Sequence, residues 1–421
     1  MPVVRYFLMK GGYAASLREP RLVVGKFVAG VGGRHCFGLA PQLEIIPMHT
    51  VFCSPSRYTQ GSNATLSLGS EMAVLGLTGP VLIVAGKTAT AALSDIWRRS
   101  LGDSGLAYRV YPFGGECSLA EIERVKGQAR DQRAEVIIGA GGGKVLDTAR
   151  AVAADLELPV VNCPTVASSD AACSALSVLY TDGGAFLQYR IYGKNPDLVL
   201  VDTQVIAQSP PRLLVAGMGD ALATWFEART CIEGNVKNMR GGASTQSALA
   251  LAELCYRTLL RDGVDALAAL QNRTPTPALE RLVEANTLLS GLGFESAGLA
   301  AAHAVHNGLT AVPQTHSYFH GEKVAFGVLV QLVLERKSES VLEAVLDFAT
   351  KVKLPTTLAA IGLAEATGEL LDRIAARSTA EGETIHNEPF AVEPRLVVEA
   401  IRDADALGRE WEQWHRVTAV G

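Results

Sequence analysis

Apolar and polar positions along the chain fall into two regimes. Up to about Val201, short apolar runs alternate with amphipathic stretches. The runs at 81–85, 109–113, 136–138, 159–163 and 198–201 read as buried strands of a parallel sheet. The stretches 89–101 and 144–152 read as helices, with Val145, Leu146, Ala149 and Val152 on one face. Ser118 and Glu121 form an S-x-x-E capping box for a further helix. Strands alternating with helices predict a parallel sheet covered on both faces, with ligands at the carboxyl ends of its strands. Beyond Pro210-Pro211 the strand pattern stops. Helical spacing runs through 212–230, 244–260, 277–294, 298–309, 321–335, 341–351 and 364–378. The expected fold is an α/β domain over 48–208 followed by an all-helical domain over 209–421. The site is expected in the cleft between them.

Residues 1–47 share neither pattern. Arg5, Lys10, Arg18, Arg21, Lys26 and Arg34 face only Glu19 and Glu44 as acids. An organelle transit segment would look like this, but so would upstream sequence ahead of a true start at Met48, which is the simpler reading. A chain beginning at Met48 is then expected to fold and work as well as the full one. Over the whole chain, 48% apolar and 19% charged residues describe an ordinary soluble globular protein. A net charge of −5 and the lack of a basic aromatic stretch argue against nucleic-acid partners. No apolar run reaches membrane-spanning length. Seven cysteines without a C-x-x-C pair read as reduced core thiols of a cytoplasmic protein.

Chemistry enters at Gly139-Ala140-Gly141-Gly142-Gly143, between an apolar run and a helix opened by Lys144. Such a turn leaves backbone N–H groups free at a helix N-terminus, where the dipole favours phosphate. It is not G-x-G-x-x-G, because Lys144 and Asp147 fall where that pattern does not ask for them. It is not a Walker loop, which needs glycine at Ile138 and a hydroxyl residue at Val145. The turn points to a nucleotide or a phosphorylated ligand.

A second constellation lies in the helical half. Asp220 sits on an apolar helix, where a lone carboxylate is costly unless paired or bound to metal. His303 and His306 lie in AAHAVHNGL, and His320 opens HGEKVAFG. Imidazole with carboxylate suits zinc or iron, and three ligands leave an open position for catalysis. The plainer alternatives are core histidines with hydrogen bonds and a helix cap at Asp220. HGEK is not H-E-x-x-H, so a zinc peptidase is unsupported.

The stretches PFGGECS (112–118), GAGGGKVLDTA (139–149), PTVASSDAACSALSVLYTD (164–182), GMGDALATWFEAR (217–229), GFESAGLAAAHAVHNGLTA (293–311), HGEKVAFG (320–327) and AEGETIHN (380–387) together resemble the glycerol dehydrogenase family. That family belongs to the iron-containing, metal-dependent alcohol dehydrogenase superfamily, which shares the dehydroquinate synthase-like fold. The resemblance covers both domains but not 1–47. It implies NAD held by Gly143, Lys144, Asp147, Thr165, Ser168, Ser174, Leu176 and Tyr180. It also implies a divalent metal, zinc in this branch, on Asp220, His303 and His320. Asp170 would face the substrate and His306 would support a proton relay. Thr224 stands where other branches carry a fourth, histidine ligand. The implied reaction is reversible oxidation of glycerol and related vicinal diols, with dihydroxyacetone as the glycerol product. The implied setting is a cytoplasmic homo-oligomer, an octamer, acting on a small polyol. One departure stands out: the family's acid after the first dinucleotide strand is replaced in Val84-Ala85-Gly86-Lys87. A rival is an NAD- and zinc-using lyase like dehydroquinate synthase. It needs a basic cluster that the stretches around Asp170, Asp220 and His303 lack.

Overall fold

Six strands, four of them aliphatic runs, pair side by side into one parallel sheet in the computed structural model, which describes residues 48–184 and 186–418. The expected extension at 1–47 lies outside the described residues. In chain order the strands are β1 Arg57–Gly61, β2 Val81–Ala85, β3 Tyr108–Pro112, β4 Val136–Gly141, β5 Val160–Pro164, β6 Leu176–Tyr180, β7 Phe186–Ile191 and β8 Leu198–Asp202. The sheet order is β1-β8-β5-β4-β2-β3. β6 and β7 stand apart as an antiparallel hairpin. The sequence reading had no hairpin there, nor the edge strand β1.

Alternation along the strands divides the two faces. Val81, Ile83 and Ala85 pack against Leu93, Trp97 and Leu101 of helix Lys87–Asp103. Leu82, Val84 and Ile137 pack against Ile122, Val125, Val145 and Ala149 of helices Leu119–Asp131 and Gly143–Leu156. Trp97 is fully buried, and truncating it to Ala would cost about 3–5 kcal/mol. The capping box is only half formed. Ser118 Oγ accepts from Glu121 N at 3.3 Å. The return bond is missing because the Glu121 carboxylate is drawn to Gly114 N at 2.7 Å and to Arg124.

From β2 the chain moves outward to β3, then returns to place β4 on the other side of β2. The carboxyl ends of β2 and β4 therefore flank the crevice where strand order reverses, the usual place for a ligand in open α/β sheets. The far edge of the sheet is covered by the helical half. Tyr58 Oη meets Thr287 Oγ1 at 2.9 Å, and Gln60 Nε2 donates to Glu280 O at 2.8 Å.

The helical half is built around helix Pro211–Glu233. Helices Gln246–Gln271, Ala301–Thr310 and His320–Leu334 pack directly on it. Pro277–Ala297 widens to a π-turn at Ala285–Leu289. The final helix, Pro394–Thr418, was not anticipated. No single described helix is long and apolar enough to cross a membrane.

The first described residues are tied to the helical half. Val51 N donates to Ala243 O at 3.0 Å, Ala243 N donates to His49 O at 2.8 Å, and Asn238 Nδ2 donates to Val51 O at 2.8 Å. A chain starting at Met48 keeps these three bonds and should unfold at the full chain's temperature. A chain starting at Ser54 loses them and should be less stable by about 2–4 kcal/mol at about 1 kcal/mol each. Thermal melts of the two truncations beside the full chain check this.

Candidate functional site

At the crevice, two helices begin with no side-chain cap. Gly142 precedes Gly143–Leu156 and Gly86 precedes Lys87–Asp103, both in extended backbone. Their first N–H groups are open to a ligand, and the dipoles add positive charge there. A side chain at Gly141 would run into Val145, so the turn can close tightly only with glycine. Lys144 pairs with Glu116 and lies 5.5 Å from the centre of the Tyr180 ring. Thr165 and Ser168 are half-buried on the loop after β5.

The other residues expected to hold NAD lie deeper. Asp147 is buried, with Oδ1 on Arg150 at 2.9 Å and Oδ2 accepting from Val178 N at 3.1 Å. Burial lifts its carboxyl to about 6, although Arg150 and the Val178 amide oppose that shift. Arg150 is itself buried and also donates to the carbonyls of Ala171 and Leu176. The pair anchors the loop and β6 to the glycine-turn helix. Ser174 is likewise buried, its hydroxyl turned toward Ala171 O at 3.5 Å. Leu176 and Tyr180 stand half-buried on β6, on a strand rather than the loop expected for them. The structure thus brings Gly143, Lys144, Thr165 and Tyr180 together at the glycine turn, with Ser168 on the adjoining loop, Leu176 tied by its carbonyl to Arg150, and Asp147 and Ser174 buried.

Asp220, His303 and His320 converge although far apart in sequence. Their ligating atoms all lie within 4.8 Å of one another. Asp220 Oδ1 is 3.3 Å from His303 Nε2 and 2.9 Å from His320 Nε2. Each imidazole is held by its other nitrogen, His303 Nδ1 by Glu227 Oε2 at 2.6 Å and His320 Nδ1 by His306 Nε2 at 3.0 Å. That aims both Nε2 atoms at Asp220, the orientation that metal-binding histidines require. The donor set therefore fits a divalent cation. Burial alone would raise the Asp220 carboxyl, but His320 and His303 outweigh it and hold it below the usual range. Burial would lower His303, but Glu227 and Asp220 outweigh it and hold it well above its usual value. Asp220 is mid-helix, which rules out the capping alternative.

Asp170 adjoins this cluster. Its N–H donates to Asp220 Oδ2 at 3.1 Å, and its carboxylate accepts from Ser290 Oγ at 2.9 Å. Burial and the nearby Asp220 charge push its carboxyl well up. Thr224 does not join the cluster, its hydroxyl lying 2.8 Å from Ser290 Oγ. His306 is buried, with Nδ1 3.2 Å from Asn307 Oδ1. A cavity of about 610 Å³ near Arg212, Ser317 and Glu322 is lined by none of the three candidate ligands.

Comparison with known proteins agrees with this geometry. A family model described as iron-containing alcohol dehydrogenase matches residues 55–203. A glycerol dehydrogenase of Escherichia coli is 49% identical over 369 residues, 87% of this chain and 100% of that one. The chain belongs to the iron-containing alcohol dehydrogenase family, in its glycerol dehydrogenase branch. A glycolaldehyde reductase of Halobacterium salinarum is 46% identical, over 86% of this chain and 99% of that protein. The crystal structure of glycerol dehydrogenase from Schizosaccharomyces pombe superposes with a TM-score of 0.83 at 37% identity, covering 88% of this chain and 93% of that one.

In this alcohol dehydrogenase, the helix carrying His303 starts inside the protein. A helix start has N–H groups with no partner in the helix. Glu227 Oε1 accepts from Ala300 N at 2.9 Å and from His303 N at 3.0 Å. Glu388 Oε1 accepts from Ala301 N at 3.2 Å, and Gln331 Oε1 from Ala302 N at 3.0 Å. The sequence reading missed all three acceptors. Glu227, in the quoted stretch GMGDALATWFEAR, was the one a sequence signal offered, as a second acid two turns after Asp220 on an apolar helix.

Glu388 adds a pH dependence. Burial and the neighbouring Glu335 carboxylate lift its carboxyl to about 9, so it is neutral at pH 7. Its folded pKa lies above the unfolded one, so its stabilising contribution is complete below the ordinary glutamate range. It is lost as pH rises from there through about 9. Glu388→Gln keeps the acceptor for Ala301 and cannot ionise. It should melt higher than the parent at alkaline pH and no higher at mildly acidic pH. Melting curves across pH check this, and parallel curves for both proteins would refute it.

Proposed function

We propose that the chain oxidises glycerol and related vicinal diols at the secondary carbon, reversibly, with NAD as hydride acceptor. The observation that carries this is one continuous line of contact. The glycine turn leads through the 165–170 loop and Asp170 to Asp220, His303 and His320. The NAD and metal roles of the individual residues are our assignment, supported by that convergence and by the relatives' activity. The metal we propose is zinc, given three protein ligands of mixed N and O type. When bound, the divalent cation supplies Lewis acidity to a hydroxyl oxygen and NAD supplies the hydride acceptor.

The chain's own residues do the rest. Glu227 and His306 fix which nitrogen of each ligand histidine faces inward. We read His306 as a positioning residue, because its outward hydrogen bond ends on an amide. Asp170, held by Ser290 and with its carboxyl raised by burial, lies beside the cluster and can orient a hydroxyl or exchange a proton with it. The glycine turn and its lysine position the coenzyme, so much of the rate comes from fixed approach. His320, with its side chain 39% exposed, opens the cluster on the substrate side. Six free cysteines among the described residues support our placement of the enzyme in the cytoplasm. The relative that reduces glycolaldehyde favours a second substrate with adjacent oxygens, to be tested beside the polyols. NADH absorbance with glycerol, 1,2-propanediol, dihydroxyacetone and glycolaldehyde, on stripped protein given back zinc, iron or manganese, decides the substrate and metal.

Ala at Asp220, His303 or His320 should abolish turnover and lower the bound cation measured by elemental analysis. Thr224→Ala should keep the cation. Glu227→Gln should weaken cation affinity about 10–100-fold, as loss of an orienting partner does. Full occupancy in His303→Ala would refute the ligand set.

Coenzyme preference gives a separate test. A carboxylate at the end of β2 would bond the ribose 2′-hydroxyl and repel a 2′-phosphate. Gly86 supplies none, and a side chain built there meets nothing within 4 Å. Gly86→Asp should therefore fit and widen the NAD-over-NADP ratio in kcat/KM by about tenfold or more, worth about 1.5–3 kcal/mol for the charged hydrogen bond. An unchanged ratio means that Gly86 does not face the ribose.

A further inference from the structure

The stretch AEGETIHN (380–387) supplies none of the candidate ligands, yet its Glu383 is tied to His320 through Asn307 and His306. The Glu383 side chain is only 8% exposed, and Arg377 pairs with its Oε1. Its Oε2 accepts from Asn307 Nδ2 at 2.9 Å. The same amide nitrogen donates to Tyr189 Oη, on the hairpin, at 3.0 Å. Asn307 Oδ1 lies 3.2 Å from His306 Nδ1, and His306 Nε2 lies 3.0 Å from His320 Nδ1. Asn307 and His306 are both buried, where an amide turned the wrong way is costly.

Each of these bonds has a direction, and Glu383 sets it. A carboxylate paired with arginine only accepts hydrogen bonds. Asn307 must turn its NH2 group toward Glu383, because the flipped amide would set oxygen against oxygen. That leaves Oδ1 for His306, which must carry its proton on Nδ1. His306 Nε2 is then bare and accepts from His320 Nδ1–H. A neutral imidazole holds one ring proton, so His320 Nε2 is left free to ligate. We propose that the Arg377–Glu383 pair is the positioning element for His320. It fixes the Asn307 amide and, through His306, decides which nitrogen of His320 is bare. No charge moves; only the seats of two ring protons are set. Glu227 does the same for His303 by direct contact. This rests on the ligand set proposed above.

The test is the zinc affinity of the full chain, measured by competition with a chelating dye, beside the melting temperature of the zinc-free protein. Asn307→Ala should weaken zinc about 10–100-fold, as loss of an orienting partner does. Glu383→Gln should weaken it about fivefold or more, with the melting temperature unchanged. In that variant Arg377 claims the new amide oxygen, the new NH2 faces Asn307, and every bond in the series reverses. Adding Asn307→Asp to Glu383→Gln restores an acceptor for His306. The double variant should return to within about twofold of the parent, a rescue that a packing role alone would not give. Parent affinity in Glu383→Gln overturns the proposal, as does a double variant no tighter than Glu383→Gln. Should Glu383→Gln melt early, Asn307→Ala and the double variant decide. Zinc held by Asn307→Ala as tightly as by the parent overturns the proposal, as does a double variant no tighter than Asn307→Ala. Zinc held as tightly by His320→Ala as by the parent sinks the ligand set instead, so the two failures are distinguishable.

Discussion

The Glu227 carboxylate is the constraint on which the metal-binding half depends. Beginning a helix inside a protein strands several N–H donors, and each buried donor left unpaired costs about 1–3 kcal/mol. Glu227 serves two of those donors with one oxygen and the ring of His303 with the other. It stands two turns along the same rod as Asp220. One helix therefore sets one candidate ligand, Asp220, the acceptor that orients a second, His303, and the start of the helix that carries it. The cluster keeps its shape because the Glu227 side chain that holds His303 is itself pinned by two backbone N–H groups.

Helix Pro211–Glu233 meets its neighbours where side chains are missing. A side chain at Gly217 would strike the carbonyl of Ala167, one at Gly219 the carbonyl of Gly321, and one at Gly321 the carbonyl of Ala216. The loop after β5 and the start of the His320 helix therefore rest directly on helix Pro211–Glu233. The π-turn at Ala285–Leu289 completes the seat. Asn286 Nδ2 donates to Ala167 O at 3.1 Å, and Ser290 reaches Asp170. Widened helical turns of this kind often occur at functional sites. Here the turn lets one helix grip both ends of a short loop.

Much of this was readable beforehand, for identifiable reasons. β2 falls where its apolar run lies, because a central parallel strand is buried on both faces and leaves no gap in the pattern. The glycine turn stood out as a run of small residues between a strand and a helix, and the candidate ligands Asp220, His303 and His320 as polar residues in or beside apolar helices. The hairpin β6–β7 did not, since Leu176–Tyr180 alternates over only five residues beside a polar loop. Asp147 entered through the resemblance, and its pairing with Arg150 needed the structure to be seen. Glu388 and Gln331 were invisible as caps, because each serves a helix distant in sequence.

The wiring of the His303 helix start bears on how the protein is made. All strands of the main sheet exist once synthesis has passed Asp202. The last proposed ligand, His320, comes more than a hundred residues later, and the acceptor for Ala301 N, Glu388, later still. The nucleotide half can settle while the other half is still emerging from the ribosome. An ion held as proposed would be captured late, by a nearly finished chain.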